Sequence, residues 1–142
     1  MKLHEVMTRN VIKINANAPV EAAARMLTNY NIGLLPVCDD SGNLQGVVTD
    51  RDLVVRCMAS GRDLAAIKVS DVMTCQVTSA TPDMDTGAAA HLMGRKQIRR
   101  LPVVERGKLC GMVSLGDLAV REQTSYDAAD ALGEISSNIS YR

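Results

Sequence analysis

The chain contains no tryptophan and no phenylalanine, and three tyrosines are its whole aromatic complement. It also lacks an excess of either charge, since 16 Lys and Arg offset 16 Asp and Glu. Nucleic-acid binders draw much of their affinity from phosphate neutralisation, and single-strand binders stack bases on aromatic rings. Both absences weigh against a nucleic-acid partner. No apolar run approaches the ~18 residues needed to span a bilayer. Met1-Lys2-Leu3-His4-Glu5 is too polar to open a secretory signal, so the expectation is a cytoplasmic protein with no membrane partner. Cys38, Cys57, Cys75 and Cys110 are widely separated, with no C-x-x-C pair and two histidines in the chain, so neither a zinc site nor a disulfide framework is written here. They are expected to be reduced and mostly buried small hydrophobes. A Gly-x-Ser-x-Gly turn, a Walker lysine loop and a Cys/His dyad are missing too, and Asp50 and Asp52 point to different faces of a helix start. No catalytic residue and no metal ligand are predicted.

What the chain does have is an ordinary globular balance: 46% hydrophobic and 23% charged residues over 142 positions. A chain of this length buries roughly two-thirds of its unfolded surface, and here the core must be aliphatic and rich in methionine. The chain is also an internal duplication. Residues 5–38 align with 71–104 with 11 of 34 pairs identical, and 42–56 align with 107–121 with 8 of 15 identical. Each copy opens on Val-Met-Thr (Val6-Met7-Thr8 and Val72-Met73-Thr74) and passes through three alanines (Ala22 to Ala24 and Ala88 to Ala90) to Ile-x-x-Leu-Pro-Val. Each ends in Gly-x-Val-[Ser/Thr]-x-x-Asp-Leu. The expected organisation is motif 1 over 1–60, a connector over 61–70, motif 2 over 71–122 and a partly helical tail over 123–142. A half of roughly 60 residues is marginal alone, so the halves are expected to pack as one unit.

Within a copy the pattern reads strand, helix, strand, strand, helix, an α/β (α+β) arrangement. Val11 to Ile14 reads as a short strand. Pro19 to Tyr30, with Asn17 as a candidate cap, has helical composition and spacing. Leu34 to Cys38 and Leu44 to Val48 are β-rich runs joined by Asp39-Asp40-Ser41-Gly42-Asn43, which has hairpin turn chemistry. Pro36 fits a strand start. Asp50 to Ala59 reads as the closing helix, stopped by Ser60-Gly61. Outside the repeat, a helix is expected from Tyr126 to Leu132, with a loosely held polar end at Ser136-Ser137-Asn138.

The chemistry concentrates where the last strand of each copy meets its closing helix. Thr49-Asp50-Arg51-Asp52 and Ser114-Leu115-Gly116-Asp117 both satisfy [Ser/Thr]-x-x-Asp, which is the requirement of a helix capping box. The same geometry offers a hydroxyl and amides to an anion, and a carboxylate able to accept hydrogen bonds from two ribose hydroxyls. Caps and ligand site both remain open readings of these residues.

The doubled Ile-x-x-Leu-Pro-Val and Gly-x-Val-[Ser/Thr]-x-x-Asp motifs resemble a pair of CBS domains (cystathionine β-synthase domains), the tandem unit called a Bateman module, from about Leu3 to Arg121. The resemblance implies two β-α-β-β-α motifs related by a pseudo-twofold axis, in a stand-alone protein of the bacterial type. It implies an adenosine-containing ligand, AMP, ADP, ATP or S-adenosylmethionine, held in the cleft between the motifs as a regulatory signal. No required cofactor is implied, with Mg accompanying only a polyphosphate. In the family the Asp holds ribose, the Ser or Thr holds phosphate, and main chain near the first strand contacts adenine. Carried over, one site comprises Ser114 and Asp117 with Thr8, Asn10, Val11, Ile12 and Ile32; Gly116 beside that pair reads either as room for a phosphate to approach the backbone or as a tolerated small residue. The other comprises Thr49 and Asp52 with Thr74, Gln76, Val77, Thr78 and Ile98. The family commonly forms homodimers, and a protein partner of unknown identity would read the signal by a conformational or dimer rearrangement.

The copies differ in charge. Arg99 and Arg100 precede Leu101-Pro102, where the first copy has Gly33 and Leu34, and this resembles basic positions that grip phosphate in nucleotide-binding members. A guanidinium is always charged and bonds two oxygens at once, at about 1.5 to 3 kcal/mol per charge-assisted bond. The Ser114 site is therefore preferred, while the Thr49 site gains only Arg51. The alternatives are a ligand-independent interaction or assembly module whose boxes are caps only, and a nucleic-acid binder using Arg95 to Arg100. With no aromatic ring to stack on, an adenine would lie between aliphatic side chains such as Val11, Ile12 and Ile98.

Overall fold

Helix α1, Val20–Asn29, buries Val20, Ala23 and Leu27, the i, i+3, i+7 stripe of a helix packed by one face. The computed structural model describes residues 1–121 and 123–137, and these fall into two compact units: Ile12–Val77, and Met1–Val11 together with Thr78–Arg142.

In the unit of Ile12–Val77, α1 lies in sequence between β1, Ile14–Asn15, and β2, Leu34–Cys38. Strand β1 is shorter than expected and pairs parallel with β2, while β2 pairs antiparallel with β3, Leu44–Thr49. The β2–β3 turn is tied by Asp39, whose carboxylate accepts from the backbone N–H groups of Ser41 and Asn43 and from the Asn43 side chain. Those bonds hold its carboxyl below the usual range. The closing helix begins as α2, Asp50–Asp52, continues as a π-helical turn, Leu53–Cys57, and ends as a 3₁₀ turn, Met58–Ser60. Gly61 then adopts a left-handed φ of 71°, the stop that its sequence position suggests. The connector carries a 3₁₀ turn, Leu64–Ala66, and α3, Val69–Val72. The core gathers α1 with Leu35, Val37, Val48, Cys57, Ile67, Val69 and Val72.

The other unit is built from both ends of the chain. A 3₁₀ turn, Leu3–Glu5, buries Leu3; helix α4, Thr86–Lys96, is capped by Asp85. Strands β4, Arg100–Glu105, and β5, Lys108–Ser114, form an antiparallel hairpin. Helix α5, Leu115–Ala119, follows directly, and α6, Ser125–Ser137, packs Ala128, Ala131 and Ile135 into the core.

The opening segments join the hairpins in matching ways. Thr8 exchanges backbone bonds with Met112 of β5 at 2.8 and 2.9 Å, and Thr74 does so with Val47 of β3 at 2.8 and 3.0 Å. This explains the glycine of Gly-x-Val. A Cβ at Gly46 would stand 2.7 Å from the Thr74 carbonyl oxygen, and one at Gly111 would meet the Met7 sulfur.

Several expectations need correction. Asn17 does not cap α1: Pro19 holds the cap position with no side-chain bond, and the Asn17 N–H donates to the Asn15 side chain instead. The tail helix is longer than Tyr126 to Leu132 and takes in Ser136 and Ser137, while Asn138 lies outside the described residues. Cys38 and Cys57 are buried, but Cys75 is exposed and Cys110 half-buried. Burial raises the thiol pKa of both Cys38 and Cys110. Among the described residues, no helix is long and apolar enough to cross a membrane.

Candidate functional site

Both [Ser/Thr]-x-x-Asp motifs are closed capping boxes. The Asp117 N–H donates to Ser114 Oγ at 3.0 Å and the Ser114 N–H to Asp117 Oδ2 at 2.9 Å. In the first copy the Asp52 N–H donates to Thr49 Oγ1 at 3.1 Å and the Thr49 N–H to Asp52 Oδ2 at 3.0 Å. The boxes form because the strand residue keeps extended backbone, φ −117° at Thr49 and −109° at Ser114, while the next residue turns helical. Each hydroxyl thus uses its acceptor side and keeps its proton to donate, and each carboxylate spends one oxygen on the cap. Among the described residues, Asp117 Oδ1 has no protein partner.

Register places the arginines. Arg100 is the cross-strand partner of Ser114, and the Leu115 N–H donates to the Arg99 carbonyl at 2.8 Å. Both guanidinium groups are exposed. Leu34 opposite Thr49 and the Asp50 N–H on the Gly33 carbonyl repeat the same geometry in the first copy without the charge. A cavity of about 630 Å³ opens here, with Arg99, Arg100, Ser114, Gly116 and Ser125 on its walls beside Leu115, Ala119, Ala128, Ala129 and Leu132. It offers two arginines and a hydroxyl next to an aliphatic surface, which suits a small anion carrying an apolar body.

The structure therefore brings Arg99, Arg100, Ser114 and Gly116 onto one cavity and sets Asp117 at its edge, on the cap rather than on the wall. Thr8 pairs two residues before Ser114 along β5, and Asn10 and Val11 belong to the same unit. Ile12 and Ile32 pack against the core of the Ile12–Val77 unit. Of the second set, Thr49, Arg51, Asp52, Thr74, Gln76 and Val77 share that unit, whereas Thr78 and Ile98 belong to the other one. Arg51 is exposed. A cavity of about 340 Å³ in the Ile12–Val77 unit is lined by Val20, Ala24, Leu53, Cys57, Met58 and Leu64 among others, and neither Thr49 nor Asp52 is on its wall.

Two contributions escaped the sequence reading. The wall of Ala128, Ala129 and Leu132 comes from α6, which has no counterpart in the repeat; its only signal was an alanine-rich helical composition. Arg56, whose Nε lies 3.8 Å from Asp52 Oδ1, was visible only as one of the identities between the copies, paired with Arg121.

The CBS domain family model matches residues 3–58 and 69–122. The chain is 40% identical over 132 residues to the CBS domain-containing protein YhcV of Bacillus subtilis, covering 93% of each. Among solved structures, it resembles the CBS domain pair of protein MJ0100 in complex with 5′-methylthioadenosine and S-adenosyl-L-methionine. That likeness has a TM-score of 0.74 and 25% identity, over 84% of this chain and 97% of that one. It also resembles Hypoxic Response Protein I, solved with two coordinated zinc ions, with a TM-score of 0.77 and 27% identity over 84% of this chain and 97% of that one. Among the described residues here, no group of three or more His, Cys, Asp or Glu is placed to hold a metal ion. Two family matches covering most of the chain, each ending in its own Ser/Thr-x-x-Asp box, lead to one conclusion: the chain belongs to the CBS domain family.

Proposed function

We propose that this CBS pair is a non-catalytic sensor that binds an adenosine-containing ligand, AMP, ADP, ATP or S-adenosylmethionine, with the Ser114 motif as the main site. The observation that carries this reading is the cross-strand pairing of Arg100 with Ser114 on one cavity wall, with Arg99 beside them. In this reading the guanidinium groups and the Ser114 hydroxyl take the phosphate or the charged end of the ligand. Gly116 lets that end approach the backbone, and Asp117 Oδ1 accepts from the ribose. Thr8, Asn10, Val11, Ile12 and Ile32 supply the adenine surroundings, and Mg accompanies only a polyphosphate. The Thr49 motif, with Arg51 and Asp52, takes a less charged adenosine ligand. S-adenosyl-L-methionine on the MJ0100 domain pair supports the ligand class.

The output is a conformational or homodimer rearrangement that a cytoplasmic protein partner reads. Ligand can bias such an equilibrium only through different affinities for its two states. Calorimetry with AMP, ADP, ATP and S-adenosylmethionine tests the reading. The expected outcome is micromolar to millimolar binding by wild type of at least one, weakened at least tenfold in Asp117→Ala; no binding of any of the four at millimolar concentration contradicts it.

A second reading, a ligand-independent assembly module, is favoured by the closure of both capping boxes. In that case Asp52→Asn and Asp117→Asn lower the melting temperature and no adenosine ligand shifts it.

A further inference from the structure

Asp52 and Asp117 occupy equivalent positions and make the same bond to the backbone of their cap residue, yet their remaining oxygens differ. Arg56 Nε lies 3.8 Å from Asp52 Oδ1. Arg56 Nη1 also donates to the carbonyl oxygens of Val72 at 3.3 Å and Met73 at 3.5 Å, just ahead of Thr74. One guanidinium thus ties the candidate ribose carboxylate of the first motif to the segment that leads into Thr74, Gln76 and Val77.

The second copy has the same residue, Arg121, and does not make this contact among the described residues. The reason is helix length. After Asp52 the chain stays helical through Leu53–Cys57, so residues 52 and 56 stand one turn apart on one face. Helix α5 stops at Ala119, with Val120 as its C-cap, which leaves Arg121 past the helix end.

We infer that Arg56 is a latch on Asp52 that an adenosine ligand must displace before its ribose can bond the first motif. This inference rests on the adenosine reading of the two motifs. It makes the motifs unequal in a second way, beyond the missing Arg99 and Arg100 counterparts. The Arg56 side chain is 52% exposed, so its ion pair is worth little, and the latch should weaken binding by about two- to fivefold.

The test is calorimetry with AMP and with S-adenosylmethionine on Asp117→Ala, where the first motif is the one left intact, and on Asp117→Ala combined with Arg56→Met. The expected result is about two- to fivefold tighter residual binding in the double variant. Arg56→Lys, which keeps the charge on a different reach, should fall between, and Arg121→Met in the wild-type background should change nothing. Equal or weaker binding in the double variant overturns the latch, and weaker binding would mean that Arg56 holds the ligand itself. Should the double variant fail to fold, Arg56→Met alone must tighten the weaker of the binding steps resolved in the titration by about two- to fivefold, and an unchanged weaker step overturns the latch. If wild type binds through the second motif while Arg56 variants match their parents, only the latch is wrong. If wild type binds neither probe, the adenosine reading falls and the latch with it.

Discussion

Gly46 and Gly111 stand at equivalent positions and face different obstacles. At Gly46 an added Cβ would be 2.7 Å from the backbone oxygen of Thr74 as well as 3.0 Å from the Met73 sulfur, whereas at Gly111 the atoms it would meet first all belong to the flexible Met7 side chain. A carbonyl held by the Val47 N–H, in a residue whose own N–H is bonded back to Val47, cannot retreat; a methionine can change rotamer. Gly46→Ala should therefore cost about 1 to 3 kcal/mol and Gly111→Ala clearly less, as measured by urea unfolding of the two variants against wild type. Equal costs would show that the two opening segments are held with the same rigidity. The glycines themselves were plain in the repeat. Their reason was not, because the clash comes from a strand edge distant in sequence.

At the scale of elements, the β4–β5 hairpin does most to shape the site. Its register sets Arg100 across from Ser114, so a strand pairing fixes a charge beside a hydroxyl. Arg100→Ala should weaken AMP binding about tenfold, the lower end for one charge-assisted bond, while leaving adenosine affinity nearly unchanged. Parallel titrations with the two ligands check this, and an equal loss for both would remove phosphate recognition from Arg100. The hairpins were legible because β-rich runs flank turn residues such as Asp39 to Asn43, and the boxes were legible because a cap needs fixed residue types at fixed spacing. The lengths of the closing helices were not. Val54-Val55-Arg56 and Ala119-Val120-Arg121 look alike, yet one continues as a π-helical turn and the other ends at Ala119. That difference decides whether an arginine meets its aspartate.

At the scale of the whole molecule, the duplication is plain in the sequence, but the make-up of each unit is not. Thr8 pairs with β5 and Thr74 with β3, so each opening segment completes the hairpin of the other copy. Val6-Met7-Thr8 and Val72-Met73-Thr74 are identical, and nothing local in either tells it which strand edge to join. The α6 wall of the cavity is hidden for a related reason, since it lies outside the repeat and outside the family match, which ends at residue 122. The balanced overall charge likewise conceals Arg99 and Arg100, exposed side by side in one copy where the other has Gly33 and Leu34.

The claim on which the account depends is that these arginines and Ser114 receive the phosphate of an adenosine ligand. A crystal structure of the full chain grown with AMP tests it most directly. The expected result is AMP density with the phosphate within hydrogen-bond reach of Arg99 or Arg100 and of Ser114 Oγ, and the ribose on Asp117 Oδ1. AMP bound only elsewhere, with the Arg99 and Ser114 cavity empty, would contradict it.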